Sequence, residues 1–80
     1  MRIQFTAYNP ATVTAAKDAR ITWKNFDNQR DSAQFTSAAI GSTPIFTSGS
    51  QTLTMPTVAG SYHYQCAVHG AGMSGTVVVQ

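Results

Sequence analysis

The chain has 80 residues, with five Lys and Arg against three Asp and a net charge of +2, a length that allows one domain, expected over 1–80, with a core burying only ~60% of the surface exposed on unfolding. Charged residues make up 10% of the chain, and Arg2, Lys17, Arg20, Lys24 and Arg30 are scattered without a basic run or aromatic interleaving, which excludes a nucleic-acid-binding signature. No apolar run approaches the ~20 residues of a membrane-spanning helix, and 1–15 lack the apolar stretch of a signal peptide, so an exported form would be a mature one.

Composition points to strands. The chain has no Glu, a single Leu (Leu53) and eleven Thr, which removes good helix formers and supplies a β-branched residue suited to pleated surfaces. Strands are predicted near 2–7, 11–16 and 19–26, then near 32–37, 44–47, 50–55, 60–67 and 74–80. Turn signals punctuate them at Asn9-Pro10, Lys17-Asp18, Asp27-Asn28, Gly41-Ser42, Ser48-Gly49 and Ala59-Gly60. Period-2 alternation pairs Ile3 with Phe5 and Ile21 with Trp23 on a common face. It also groups Tyr62, Tyr64 and Cys66, with His63 and Gln65 opposite. Trp23, Phe5, Phe26, Phe35, Phe46, Tyr62 and Tyr64 alternate with polar residues, as core aromatics do. Seven or eight short strands without helices must form two packed sheets to bury their apolar faces. The fold class is therefore all-β, a sandwich. Residues 38–47 are the least regular and suit a loop or one helical turn.

The chemistry gathers near the C-terminus. In CAVHGAGM, Cys66 ends a strand, His69 follows at i+3 and Met73 at i+7, and Gly70-Ala71-Gly72 is expected to let the chain fold back. Thiolate, imidazole and thioether together suit copper, and a single Cys argues against structural zinc. Each residue alone has an ordinary reading: a buried small thiol, a surface imidazole and a core methionine. A nucleophilic Cys-His pair is the main alternative of another class, but no orienting acid or oxyanion donors can be identified for it.

Three segments carry a family resemblance over nearly the whole chain: YNPATVT, ITWKNFD and YHYQCAVHGAGMSGTVVV. The sequence resembles the cupredoxins, the blue-copper family of plastocyanin, pseudoazurin and amicyanin. The resemblance implies an antiparallel Greek-key β-sandwich that carries single electrons between larger proteins and is not an enzyme. It implies mononuclear copper at Cys66, His69 and Met73. It also implies transient redox partners docking on an apolar patch of Val68, Gly70, Ala71 and Gly72 around His69, with Ala33 at its edge. The spacing from His69 to Met73 lies between plastocyanin-like and amicyanin-like loops. The family's first His falls eight residues after Trp23, where this chain has Asp31. Asp31 can be a metal ligand, can leave its place to water or an outside molecule, or can mark a metal-free site. In a metal-free site Arg30 would neutralise it at the surface. His63 is the only other histidine, and alternation points it away from Cys66. By analogy with the family, a backbone N–H near Ser32 is expected to bond the Cys66 sulfur; the side chain of Asn25 or Ser32 is the other candidate donor. A monomer in the periplasm or outside the cell is expected. The alternatives are a copper-handling domain without fast electron transfer and a metal-free binding module.

Overall fold

The computed structural model describes residues 1–80 and contains eight strands and no helix. They are β1 (Arg2–Gln4), β2 (Ala7–Asn9), β3 (Thr12–Ala15), β4 (Arg20–Asn25), β5 (Gln34–Phe35), β6 (Gly49–Thr54), β7 (Gly60–Cys66) and β8 (Gly70–Val79). One sheet has the order β2-β1-β4-β6 and the other β3-β8-β7-β5. The expected all-β sandwich is present. Four pairings are antiparallel, whereas β1–β4 and β3–β8 are parallel. Both sheets are therefore mixed.

Several predicted boundaries move. The strand expected over 2–7 breaks at Phe5 and Thr6, whose φ angles are 57° and 51°. They form a two-residue hairpin turn in which both residues are left-handed, a conformation costly for side chains other than Gly, Asn and Asp. Phe5 thus leaves the face of Ile3 and is 86% exposed. The turn is held from a distance: the Thr6 N–H donates to the Asp27 carboxylate at 3.1 and 3.3 Å. The strand expected near 44–47 is reduced to one bridge between Phe46 and Asp31. The Gly-rich linker is itself strand, since β8 starts at Gly70 with φ 70°. The chain reverses over the turn 67–69 instead.

Between the sheets lies a core of Ile3, Tyr8, Trp23, Ala33, Phe35, Ile40, Phe46, Met55, Tyr64, Cys66, Met73, Val77 and Val79. Tyr64 is its hub. Its ring lies 4.5 Å from Tyr8, 4.9 Å from Phe35 and 5.5 Å from Trp23, centroid to centroid. The aromatic readings are corrected at Phe5 and at Phe26, which is 42% exposed, while Tyr8 and Ile40 join the core.

Burial pushes the Tyr64 phenol up to about 12, with the Trp23 indole partly opposing it, and raises Tyr8 as well. Above pH ~10 an unfolded tyrosine ionises while these two keep their protons. Unfolding then releases protons, and stability falls as pH climbs through that window. Urea midpoints measured from pH 8 to 11.5 are expected to decline above pH 10, and Tyr64→Phe to flatten part of the decline. An unchanged slope in that variant would remove Tyr64 from the account.

Candidate metal centre

The site stands at one end of the sandwich, where β4 leaves the first sheet and β7 turns into β8. Asn25, the last residue of β4, shapes the approach. Its Nδ2 donates to the carbonyls of Gln29 (3.1 Å) and Phe46 (2.8 Å), and its Oδ1 accepts from the Asp27 N–H (2.8 Å). Asp31 then pairs with Phe46 through both backbone bonds, at 3.1 and 2.9 Å. The next residue ties this loop to the opposite one: Ser32 Oγ accepts from the Ala67 N–H at 2.9 Å, and the Tyr8 hydroxyl donates to the Ser32 carbonyl. Asn25 and Ser32 therefore position the two loops, and neither side chain bonds the Cys66 sulfur, which corrects the expectation of a side-chain donor there. The Asn25 amide is engaged by three backbone groups, and Ser32 Oγ by the Ala67 N–H.

On the other side, β7 alternates outward and inward, so Tyr64 and Cys66 are buried and His63 is exposed. His63 Nδ1 lies 2.8 Å from Thr76 Oγ1 on the outer face, away from Cys66 as the alternation predicts. The turn 67–69 presents His69 back toward the strand it has just left. Gly70 follows in the left-handed region, which a glycine adopts without a side-chain penalty.

Three side chains converge. His69 Nδ1 is 3.0 Å from Asp31 Oδ1, Cys66 Sγ is 3.4 Å from His69 Nδ1, and the Cys66 thiol faces Asp31 Oδ1 at 3.7 Å. Asp31 and Cys66 are fully buried, and the His69 side chain is 29% exposed. Asp31 is thus an interior carboxylate facing an imidazole. The surface ion pair with Arg30 does not form; the one basic side chain within reach of the Asp31 carboxylate is the His69 imidazole.

The arrangement discriminates between chemistries. A nucleophile–base–acid relay needs the imidazole to show one nitrogen to the thiol and the other to the carboxylate. Here the same nitrogen faces both, so all three donor atoms point at one spot. A point equidistant from three atoms at these separations lies about 2 Å from each, the length of a metal–nitrogen or metal–oxygen bond. The second carboxylate oxygen, Asp31 Oδ2, is buried without any hydrogen-bond partner. Burial foremost holds the Asp31 carboxyl above the usual carboxylate range. The nearby Asp27 adds to this, while His69 and the Cys66 hydrogen bond pull it back. The cluster therefore lacks positive charge, and a cation bound by these donors would supply it. The residues fit a transition-metal ion.

Met73 is buried on β8. Gln65 pairs with Ser74 but Cys66 pairs with Gly70, so Ala71, Gly72 and Met73 are surplus residues bulging opposite the end of β7. Of the predicted patch, Val68, Ala71 and Gly72 are exposed around His69, and Ala33 is not: it is fully buried, its N–H donating to Thr43 Oγ1 at 2.8 Å.

The sequence profile of the cupredoxin-like domain family matches residues 1–79. This chain belongs to the cupredoxins. Solved structures agree in fold. The Cu(I) form of one amicyanin mutant superposes with a TM-score of 0.86 at 25% identity, covering 99% of this chain and 78% of that one. A reduced Cu(I) form of another amicyanin mutant at pH 4 gives 0.87 at 25% identity with the same coverage. An oxidised amicyanin mutant gives 0.86 at 24% identity, again with the same coverage. No curated protein matches significantly by sequence. No helix of this cupredoxin is long and apolar enough to cross a membrane.

Proposed function

We propose that this cupredoxin is an electron carrier and not an enzyme, with one copper ion held by Cys66, His69 and Asp31 and, more weakly, by Met73. The observation that carries the reading is the convergence of Sγ, Nδ1 and Oδ1 on a point about a metal-bond length from each. Thiolate and thioether suit Cu(I), imidazole serves both oxidation states of copper, and a single Cys argues against structural zinc. Copper bound there supplies a one-electron couple.

The chain's own part is to keep the donors still and to bring one of them to the surface. Stillness comes from the Ser32–Ala67 bond and the Asn25 bonds, which lock both ligand loops to the sandwich. The partly exposed imidazole of His69 offers the route to a partner. Val68, 44% exposed, is the apolar side chain next to it in sequence. Docking at this end is small and transient, as suits repeated exchange. The carrier acts as a monomer in the periplasm or outside the cell. A copper-handling role without fast electron transfer is favoured by one feature, the hard carboxylate of Asp31 in place of a second imidazole.

Addition of one equivalent of Cu(II) tests both readings. Strong thiolate-to-copper absorption is expected for the carrier. Binding without strong colour, or rapid bleaching to Cu(I), would point to handling, and no binding would end both. His69→Ala is expected to abolish the native copper spectrum, and survival of the same visible band would remove His69 from the ligand set.

A further inference from the structure

The outer face of the β2-β1-β4-β6 sheet carries a feature that the copper site does not use. Along β4 the exposed residues alternate as Arg20, Thr22 and Lys24, and β1 contributes Arg2. Arg2 and Lys24 are direct neighbours in the parallel register of β1 and β4. Both lean over one ring: Arg2 Cζ is 4.8 Å and Lys24 Nζ 5.2 Å from the Phe26 centroid. Gathering two like charges over one exposed aromatic costs repulsion, which the ring face offsets only in part. Neither cation has a carboxylate partner, since the one carboxylate contact of a basic side chain in the molecule is that of His69 with Asp31. Arg2 reaches only the neutral Gln4 Oε1, at 3.4 Å. Asp27, next to Phe26 in sequence, is half-buried and accepts from the Thr6 N–H. Asp31 is sealed in the metal site, and Asp18 sits in the turn before β4. The strand residues facing out of this sheet thus include three cations and no acid.

The patch adjoins the functional end. The Phe26 N–H donates to the Ile3 carbonyl at 2.8 Å, and Phe26 opens the loop that carries Asp31. The exposed Phe5 projects from the turn that Asp27 clasps. We propose that this corner, Arg2 and Lys24 over Phe26 with Phe5 beside it, binds a carboxylate-rich surface of a partner protein. Two unpaired cations supply the attraction and orient the encounter, and the flanking rings supply apolar contact. A single-stranded nucleic acid would need a positive groove along its backbone. A flat sheet face with three cations in a chain of net charge +2 offers none. That this partner is a redox protein rests on the proposed function, but the binding itself does not need copper.

The test is an NMR titration of metal-free protein, and of Cys66→Ser, with a decaglutamate peptide at low ionic strength. Amide shifts are expected to cluster at Arg2, Gln4, Lys24 and Phe26 and to vanish at high salt. Arg2→Gln/Lys24→Gln should weaken binding roughly three- to tenfold, the worth of two exposed charge pairs. Lys17→Gln/Arg30→Gln, which removes the same net charge elsewhere, should change it less than about twofold, because contact geometry and not overall field decides. Equal losses in the two double variants, or shifts centred elsewhere, would overturn the proposal. Tighter binding of a decathymidylate than of the peptide at the same salt would overturn it in favour of nucleic acid. Failure of copper to bind in a separate titration would sink the carrier reading and leave this result standing.

Discussion

Asp31→His is expected to move the copper spectrum toward that of an ordinary blue-copper site and to raise the reduction potential. A carboxylate is a harder donor than an imidazole and favours Cu(II), whereas the thiolate and thioether favour Cu(I). Exchanging the hard donor for imidazole tilts the balance to the reduced state. A shift on the order of 100 mV is expected, between one and two decades in the oxidised-to-reduced ratio at 59 mV per decade. Spectroelectrochemistry of both proteins measures it. An unchanged spectrum and potential would show that position 31 does not touch the metal. Asp31→Asn keeps the shape and removes the charge. Because burial raises the Asp31 carboxyl, its ionised form opposes folding as pH rises through that raised value. Metal-free Asp31→Asn should therefore be more stable than the parent at neutral pH and bind copper more weakly. Melting curves with and without Cu(II) separate the two effects, since a ligand that binds only the native state raises its midpoint.

Gly75→Ala is expected to be the most damaging single methyl in the molecule. Tyr64 and Gly75 are cross-strand partners in β7 and β8. A Cβ at position 75 would lie 2.6 Å from both Cζ and Oη of Tyr64 and 3.0 Å from the carbonyl oxygen of Ala11. The ring cannot retreat, because Tyr8, Phe35 and Trp23 surround it at 4.5 to 5.5 Å, and the Ala11 oxygen belongs to backbone that accepts from the Thr76 N–H at 2.9 Å. Overpacking of this kind costs about 2–3 kcal/mol, a large share of the ~3–5 kcal/mol that a core of this size supplies. The thermal midpoint should fall by roughly 10–20 °C. Combining it with Tyr64→Phe, which removes Oη and leaves Cζ, should restore part of the loss. A loss below about 0.5 kcal/mol, the range of ordinary surface substitutions, would show that the ring slides aside freely.

The parts of this protein that are local in the chain were legible in its residues. Strand alternation has a period of two, so the buried Tyr64 and Cys66 and the outward His63 follow from their spacing. Cys66 and His69 meet because a three-residue turn joins them, and their residue types name the metal class. Aromatic and Thr-rich strands, in a chain without Glu and with a single Leu, led directly to an all-β sandwich. What escaped that reading depends on groups far apart in sequence. The left-handed Phe5-Thr6 turn goes against the preference of both residues. It is held by a carboxylate 21 positions away, so a smooth alternating strand was the natural expectation for 2–7. The parallel pairings of β1 with β4 and β3 with β8 arise where the chain crosses between layers, and no local period encodes such a crossing. Asp31 lies 35 residues before Cys66. The family pattern marked its position, but only the bridge to Phe46 and the Ser32–Ala67 bond bring its carboxylate to the thiol and the imidazole. The chain by itself determined which donors exist and which strands present them. Tertiary packing decided that three donor atoms face one point, because only the closed sandwich sets the distance between its two ligand loops.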